Sequence, residues 1–135
     1  MQMAQHHPKN YASLTKLSGS ISPYEEPKEG WRWFILYTPF RYLMPGAFLP
    51  SNDEIYYFKK DLYGLESNYE KITMPVMFIH GDADKFVSID NVAYGQKKLA
   101  TNKQVDKIII AGASHFIPRQ HYDVIKKHLL GLSTK

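Results

Sequence analysis

Two segments of this chain end in residues whose types could do acid–base chemistry together. Met74-Pro75-Val76-Met77-Phe78-Ile79-His80-Gly81-Asp82-Ala83-Asp84 is an apolar run that stops at a glycine and is followed by carboxylates. Lys107-Ile108-Ile109-Ile110-Ala111-Gly112-Ala113-Ser114-His115 is a second such run, followed by a histidine. A carboxylate bonded to one imidazole nitrogen fixes the tautomer and stabilises the imidazolium, which leaves the other nitrogen to take a proton from a hydroxyl. An acid and a histidine are two thirds of an acyl-transfer triad. No residue upstream of them reads as the nucleophile.

Both runs read as short, fully buried strands, and one amphipathic helix lies between them. Ser88 caps that helix, whose inner face is Ile89, Val92, Ala93, Gln96, Leu99 and Ala100. Tyr122, Ile125, Leu129 and Leu132 define a final amphipathic helix, with Gly131 suited to its C-terminal end. Strand, helix, strand, helix in this rhythm predicts parallel pairing through a right-handed crossover, and the fold class is α/β. Loops at the carboxyl ends of adjacent parallel strands are where ligands gather in open α/β sheets. Earlier in the chain, residues 1 to 7 read as the tail of a helix broken by Pro8 and Asn10, and Ala12 to Leu17 as a strand. Thr15 and Lys16 are poor choices for a strand covered on both faces. Pro23, Pro27 and Gly30 mark a connection. Trp31, Trp33, Phe34, Tyr37, Phe40, Tyr42 and Phe48 follow, cut by Pro39, Pro45 and Pro50, which rule out one long helix. Ser51-Asn52-Asp53-Glu54 has the form of a capping box, and Ile55, Phe58, Leu62 and Leu65 follow at helical spacing.

The pattern Gly81-x-x-Asp84-x-x-Val87, then a helix, then a strand ending Gly112-x-x-His115-Phe116, resembles the C-terminal part of an α/β-hydrolase. The resemblance implies about three parallel strands with flanking helices and a helical lid insertion. In that family the triad follows the order nucleophile, acid, histidine, with the nucleophile in a Gly-x-Ser-x-Gly elbow. No such string occurs here. The nearest, Gly112-Ala113-Ser114-His115-Phe116, lacks the second glycine and follows the acid, so Ser114 is rejected as nucleophile. The family spacing from Gly81 selects Asp84 as the acid, leaves Asp82 to shape the turn through its own backbone, and makes His115 the histidine. His80 at the strand end either touches the site or is a satisfied structural histidine. Met1 to Pro8 resembles the end of the helix after the elbow, and Ala12 to Ser20 the next strand. Ser18-Gly19-Ser20-Ile21-Ser22-Pro23 resembles the lead-in to the lid. The resemblance thus divides one partial domain, 1–135, into helix end and strand (1–22), lid or cap insertion (23–70) and core strands with the acid and histidine loops (71–135). It implies a chain truncated after the nucleophile elbow. The lid aromatics would line an apolar pocket, or pack on the sheet and on one another.

At 135 residues, 44% hydrophobic and 14% aromatic, the chain suits one globular domain. It has no cysteine, and therefore no disulfide framework. The net charge of +4 comes from scattered pairs, Lys59-Lys60, Lys97-Lys98 and Lys126-Lys127, with no basic stripe, so no nucleic-acid partner is expected. No apolar run approaches a membrane span, and no signal peptide is seen, so the expected compartment is the cytoplasm. His6, His7, His121 and His128 show no metal-ligand spacing, and no phosphate-cradling loop or dinucleotide fingerprint occurs, so neither metal nor cofactor is expected. The expected function is that of part of a serine-hydrolase-like enzyme. It would act on an ester, amide or related small substrate with an apolar portion, Asp84 orienting His115 for a nucleophile outside the chain. The isolated chain would then show essentially no hydrolysis, and its open sheet edge would favour self-association. A non-catalytic binding module or pseudo-enzyme, or one half of a split hydrolase, are the alternatives. A pure binder has no need of the Asp84–His115 geometry.

Overall fold

The computed structural model describes residues 1–25 and 48–132, with isolated positions 39, 42 and 46 between them. Helix α1 (Gln2–His6) and a 3-10 turn at Pro8–Asn10 lead into strand β1 (Leu14–Leu17). Helix α2 (Phe48–Glu66) and a second 3-10 turn (Tyr69–Lys71) precede β2 (Val76–Gly81). Helix α3 (Asp90–Lys98), β3 (Val105–Ile110), the short α4 (Ile117–Gln120) and α5 (Tyr122–Leu132) complete the described chain. The three strands form a parallel sheet in the order β1-β2-β3, with Leu14 opposite Val76 and Val76 opposite Val105. Flanking bonds extend the ladder: the Leu14 amide donates to Pro75 O and the Ser18 amide to Ile79 O. The described structure is thus the expected α/β arrangement, and no described helix is long and apolar enough to cross a membrane.

Alternation along β2 sends side chains to two cores. Val76 and Phe78 join Ala4, Ile21, Tyr69, Ile72, Met74, Val92 and Leu99 on one face. Ile79 joins Ala113, Ile117 and Ile125 on the other, with Leu17, Met77, Ile108 and Ile110 packed against them. As the central strand, β2 is buried almost throughout, as its continuous apolar run requires. β3 is not the fully buried strand its isoleucines suggest. Asp106, Lys107 and Ile109 are exposed, because β3 lies at the margin of the described sheet. β1 is half-buried along its length, in keeping with its Thr15 and Lys16.

Helix faces also depart from simple periodicity. The inner face of α3 is Asn91, Val92, Gly95 and the following Leu99, whereas Ile89, Ala93 and Ala100 are exposed. Asn91 is inside because its polar atoms are bonded there: its Oδ1 accepts from the Ile21 and Ser22 amides at 2.9 Å each, and its Nδ2 donates to Ser88 O at 3.1 Å. The N-cap position is Ile89, which makes no side-chain cap bond, and Ser88, one residue before it, accepts from the Asp90 amide through its Oγ at 3.2 Å. In α5, Ile125 is buried but Tyr122 and Leu129 are exposed, and Gly131 lies within the helix. Helix α2 begins at Phe48, so the string Ser51 to Glu54 lies inside the helix and does not mark its start, and Pro50 falls in the first turn where a missing amide costs nothing. Its C-terminal residue Glu66 accepts from Lys98 Nζ at 2.8 Å and from Tyr94 Oη at 2.9 Å, which ties α2 to α3. Of the aromatics expected in a lid, Trp31, Trp33, Phe34, Tyr37 and Phe40 lie outside the described residues, and Tyr42 is exposed.

Candidate active site

The carboxyl ends of β2 and β3 are locked together by backbone contacts before any side chain is considered. A Cβ placed on Gly81 would run into the carbonyl of Ala113, so only glycine lets the two loops approach this closely. The Ala113 carbonyl accepts from the Ala83 amide at 3.1 Å. Gly112 adopts φ +71°, the left-handed conformation that turns the chain out of β3. The two glycines that end the apolar runs are therefore part of the mechanism that brings acid and histidine together. Asp82 acts differently from the turn-shaping role read from its position. Its Oδ1 accepts from the Gly112 amide at 2.6 Å, across the gap between the loops.

Asp84 and His115 meet. His115 Nδ1 lies 2.9 Å from Asp84 Oδ2, and the Asp84 side chain has no exposed surface while that of His115 retains 33%. A carboxylate only accepts, so this contact places a hydrogen on Nδ1. The other carboxylate oxygen has a separate task. Oδ1 accepts from the amides of Phe86 at 2.9 Å and Val87 at 3.0 Å, closing a tight turn around the side chain. Burial pushes the Asp84 carboxyl up. The Val87 amide, the His115 imidazole and the Phe86 amide together outweigh it and hold the group below the ordinary carboxylate value. Asp84 thus stays ionised, which is the state that can stabilise an imidazolium.

No described residue hydrogen-bonds Nε2 of His115. The ring stands edge-on to Phe86 at 5.5 Å and Phe116 at 5.8 Å between centroids, and both phenylalanines are largely exposed. Phe116 closes the sequence pattern Gly112-x-x-His115-Phe116, whereas nothing in the sequence points to Phe86, two residues after Asp84. Ser114 is turned elsewhere, its Oγ donating to Gln120 Oε1 at 2.9 Å. His80 is buried beside the site, with Nε2 3.1 Å from Val87 O and 3.7 Å from Asp84 Oδ2. Among the described residues no group of three His, Cys, Asp or Glu side chains could hold a metal ion.

Residues 3–126 match the family described as serine hydrolase (FSH1). No curated protein matches the chain significantly. Solved structures do. A monoacylglycerol lipase from Paleococcus ferrophilus superposes with TM-score 0.64 at 13% identity, over 98% of this chain and 61% of that one. E-2-(acetamidomethylene)succinate hydrolase gives TM-score 0.63 at 15% identity, again over 98% of this chain and 61% of its own. The Pyrococcus furiosus esterase Pf2001 gives 0.55 at 17% identity, over 96% and 46%. At such identities the likeness is one of fold, and the chain spans no more than 61% of the length of any of the three. The α/β-hydrolase sheet and the family match over nearly all of the sequence lead to one assignment: the chain belongs to the serine hydrolase (FSH1) family.

Proposed function

We propose that this chain supplies the acid and the general base of a serine hydrolase, acting on an ester, amide or related small substrate with an apolar portion. The observation that carries the proposal is the division of labour at Asp84: one oxygen is anchored by two backbone amides and the other is offered to His115. An imidazole held with its hydrogen on Nδ1 presents a basic Nε2. That nitrogen accepts the proton of an attacking hydroxyl and returns it to the leaving group, while Asp84 stabilises the intervening imidazolium. The nucleophile itself is a residue outside positions 1–135. In this fold the oxyanion-hole donors come from the residue after the nucleophile and from an early loop, so they too lie outside. Phe86 and Phe116, exposed and packed edge-on against His115 and against each other, support a substrate with an apolar portion near the reacting bond. The insertion position of residues 23–70 fits a lid over that region.

The test is hydrolysis of short-chain p-nitrophenyl esters. The 135-residue chain alone should give no turnover. Co-expression with the amino-terminal half of a family member bearing Gly-x-Ser-x-Gly should restore it, with dependence on Asp84 and His115. Turnover by the chain alone, abolished in His115→Ala, would show that the nucleophile lies within it and would refute this division. So would restored turnover that is indifferent to His115→Ala.

A further inference from the structure

We infer that His80 is a positioning residue: its buried imidazole, bonded through Nε2 to the Val87 carbonyl, holds the acid loop in the turn that presents Asp84 to His115. This rests on the reading of Asp84 and His115 as the acid–base pair.

Three observations converge on it. First, His80 is built into the sheet. It is the penultimate residue of the central strand, paired opposite Ile109, and only 2% exposed. Second, its contact has a defined direction. A backbone carbonyl only accepts, so the 3.1 Å contact to Val87 O places the hydrogen on Nε2 and leaves the ring neutral or fully protonated, never the opposite neutral tautomer. Third, Val87 is the residue whose amide anchors Asp84 Oδ1. The bonds therefore run in series from His80 to Val87, from Val87 to Asp84, and from Asp84 to His115. The 3.7 Å between His80 Nε2 and Asp84 Oδ2 is too long for a hydrogen bond. The carboxylate is reached through the loop.

The loop needs such support. Asp82, Ala83, Lys85 and Phe86 are all exposed, so it has little apolar surface of its own to bury. The next carbonyl, Ser88 O, is likewise held by a buried side chain, through Asn91 Nδ2 at 3.1 Å. Two successive carbonyls at the loop's exit are thus gripped from within the core. A histidine retained only to fill space beside the strand would not have to donate to Val87.

The experiment uses the full chain labelled with nitrogen-15 and two readouts. One is the low-field proton resonance of the His115 Nδ1–H in its bond to Asp84. The other is hydrogen exchange at the Phe86 and Val87 amides. His80→Leu fills the volume without a donor. His80→Asn stays polar but is too short to reach Val87 O. His80→Gln places an amide donor near the position of Nε2. Expected is loss of the resonance in the Leu and Asn variants, with exchange at the two amides faster by about tenfold, the factor that goes with losing one hydrogen bond. The Ile79 and Ile108 amides should be unaffected, and His80→Gln should behave as the parent. A folded Leu or Asn variant that keeps resonance and protection would overturn the inference. Loss in His80→Gln as well would overturn the hydrogen bond as the means. Absence of the resonance from the parent would instead defeat the acid–base pair, a different failure, while amide protection would still report on His80.

Discussion

Replacing Asp84 by asparagine should move a single proton on His115, and the structure says which way and by how much. Asparagine has the shape of aspartate but one of its two terminal atoms becomes an NH2 donor. Two amides, from Phe86 and Val87, converge on Oδ1, whereas Oδ2 meets one partner, His115 Nδ1 at 2.9 Å. The asparagine oxygen must stay with the two amides, since turning the other way would set its NH2 against both of those donors. Its NH2 then confronts the Nδ1–H of His115, donor against donor. The ring escapes by moving its hydrogen to Nε2. A hydrogen bond to a charged group contributes about 1.5–3 kcal/mol. Losing about 2 kcal/mol of preference corresponds to roughly a 30-fold change in the tautomer ratio. Long-range nitrogen-15 correlation spectra of the imidazole read that ratio directly. The parent should show Nδ1–H and Asp84→Asn should show Nε2–H, with Asp82→Asn leaving the ring as in the parent. In an assembly that carries a nucleophile, the same change should lower kcat by roughly 10⁴-fold, because the nitrogen facing the substrate is no longer a base. Persistence of Nδ1–H in Asp84→Asn, or a switch produced by Asp82→Asn, would refute the reasoning.

Three further outcomes follow from the same contacts. The folded Asp84 carboxyl is held below its ordinary value, so its bonds stabilise the fold above the unfolded carboxylate pKa of about 3.9 and lose that contribution as pH falls through the lower folded value. Urea midpoints between pH 5 and pH 2 should therefore fall more steeply for the parent than for Asp84→Asn, and equal slopes would count against the assignment. Gly81→Ala forces a methyl group into the Ala113 carbonyl and should cost about 1–3 kcal/mol, read as a lower urea midpoint with weakening of the His115 Nδ1–H signal. The outer edge of β1 has no strand beside it among the described residues, so the chain should associate as its concentration rises. A concentration-independent monomer in sedimentation equilibrium would argue otherwise.

The parts of the fold that were legible in the sequence are those where one short segment decides the outcome. β2 is an uninterrupted apolar run and is buried, and the rhythm of strand and helix is enough to make its neighbours parallel. β3 looked equally buried, because three consecutive isoleucines carry no information about which side of a strand lacks a neighbour. The inner face of α3 departs from its apolar spacing at Asn91 and Gly95 for a related reason. A polar residue belongs inside only if distant groups satisfy it, and the Ile21 and Ser22 amides lie some seventy positions away in sequence. A glycine belongs inside where neighbours need its missing Cβ, and here the neighbours are Ile21 and Phe78. Asp82 was read as serving its own turn, yet it bonds Gly112, thirty residues on. Local chemistry names the donors and acceptors. The tertiary fold decides who meets whom.

The meeting of Asp84 with His115 was nonetheless legible, and the contacts explain why. Asp84 is held by Phe86, Val87 and, through the loop, His80, all within four residues of it in the chain. His115 is placed by Gly112 and Ala113, which touch Asp82, Ala83 and Gly81. Every contact described that fixes the pair thus comes from two loops on adjacent strands, and a pattern of spacings can encode two loops where it cannot encode a whole core. The consequence is physical as well as diagnostic. Among the described residues, every hydrogen bond to the Asp84 and His115 side chains comes from these two loops. Substitution of Tyr63, a described and exposed residue of α2 outside both loops, should therefore leave the tautomer of His115 unchanged in nitrogen-15 spectra, and a switch there would refute the two-loop account.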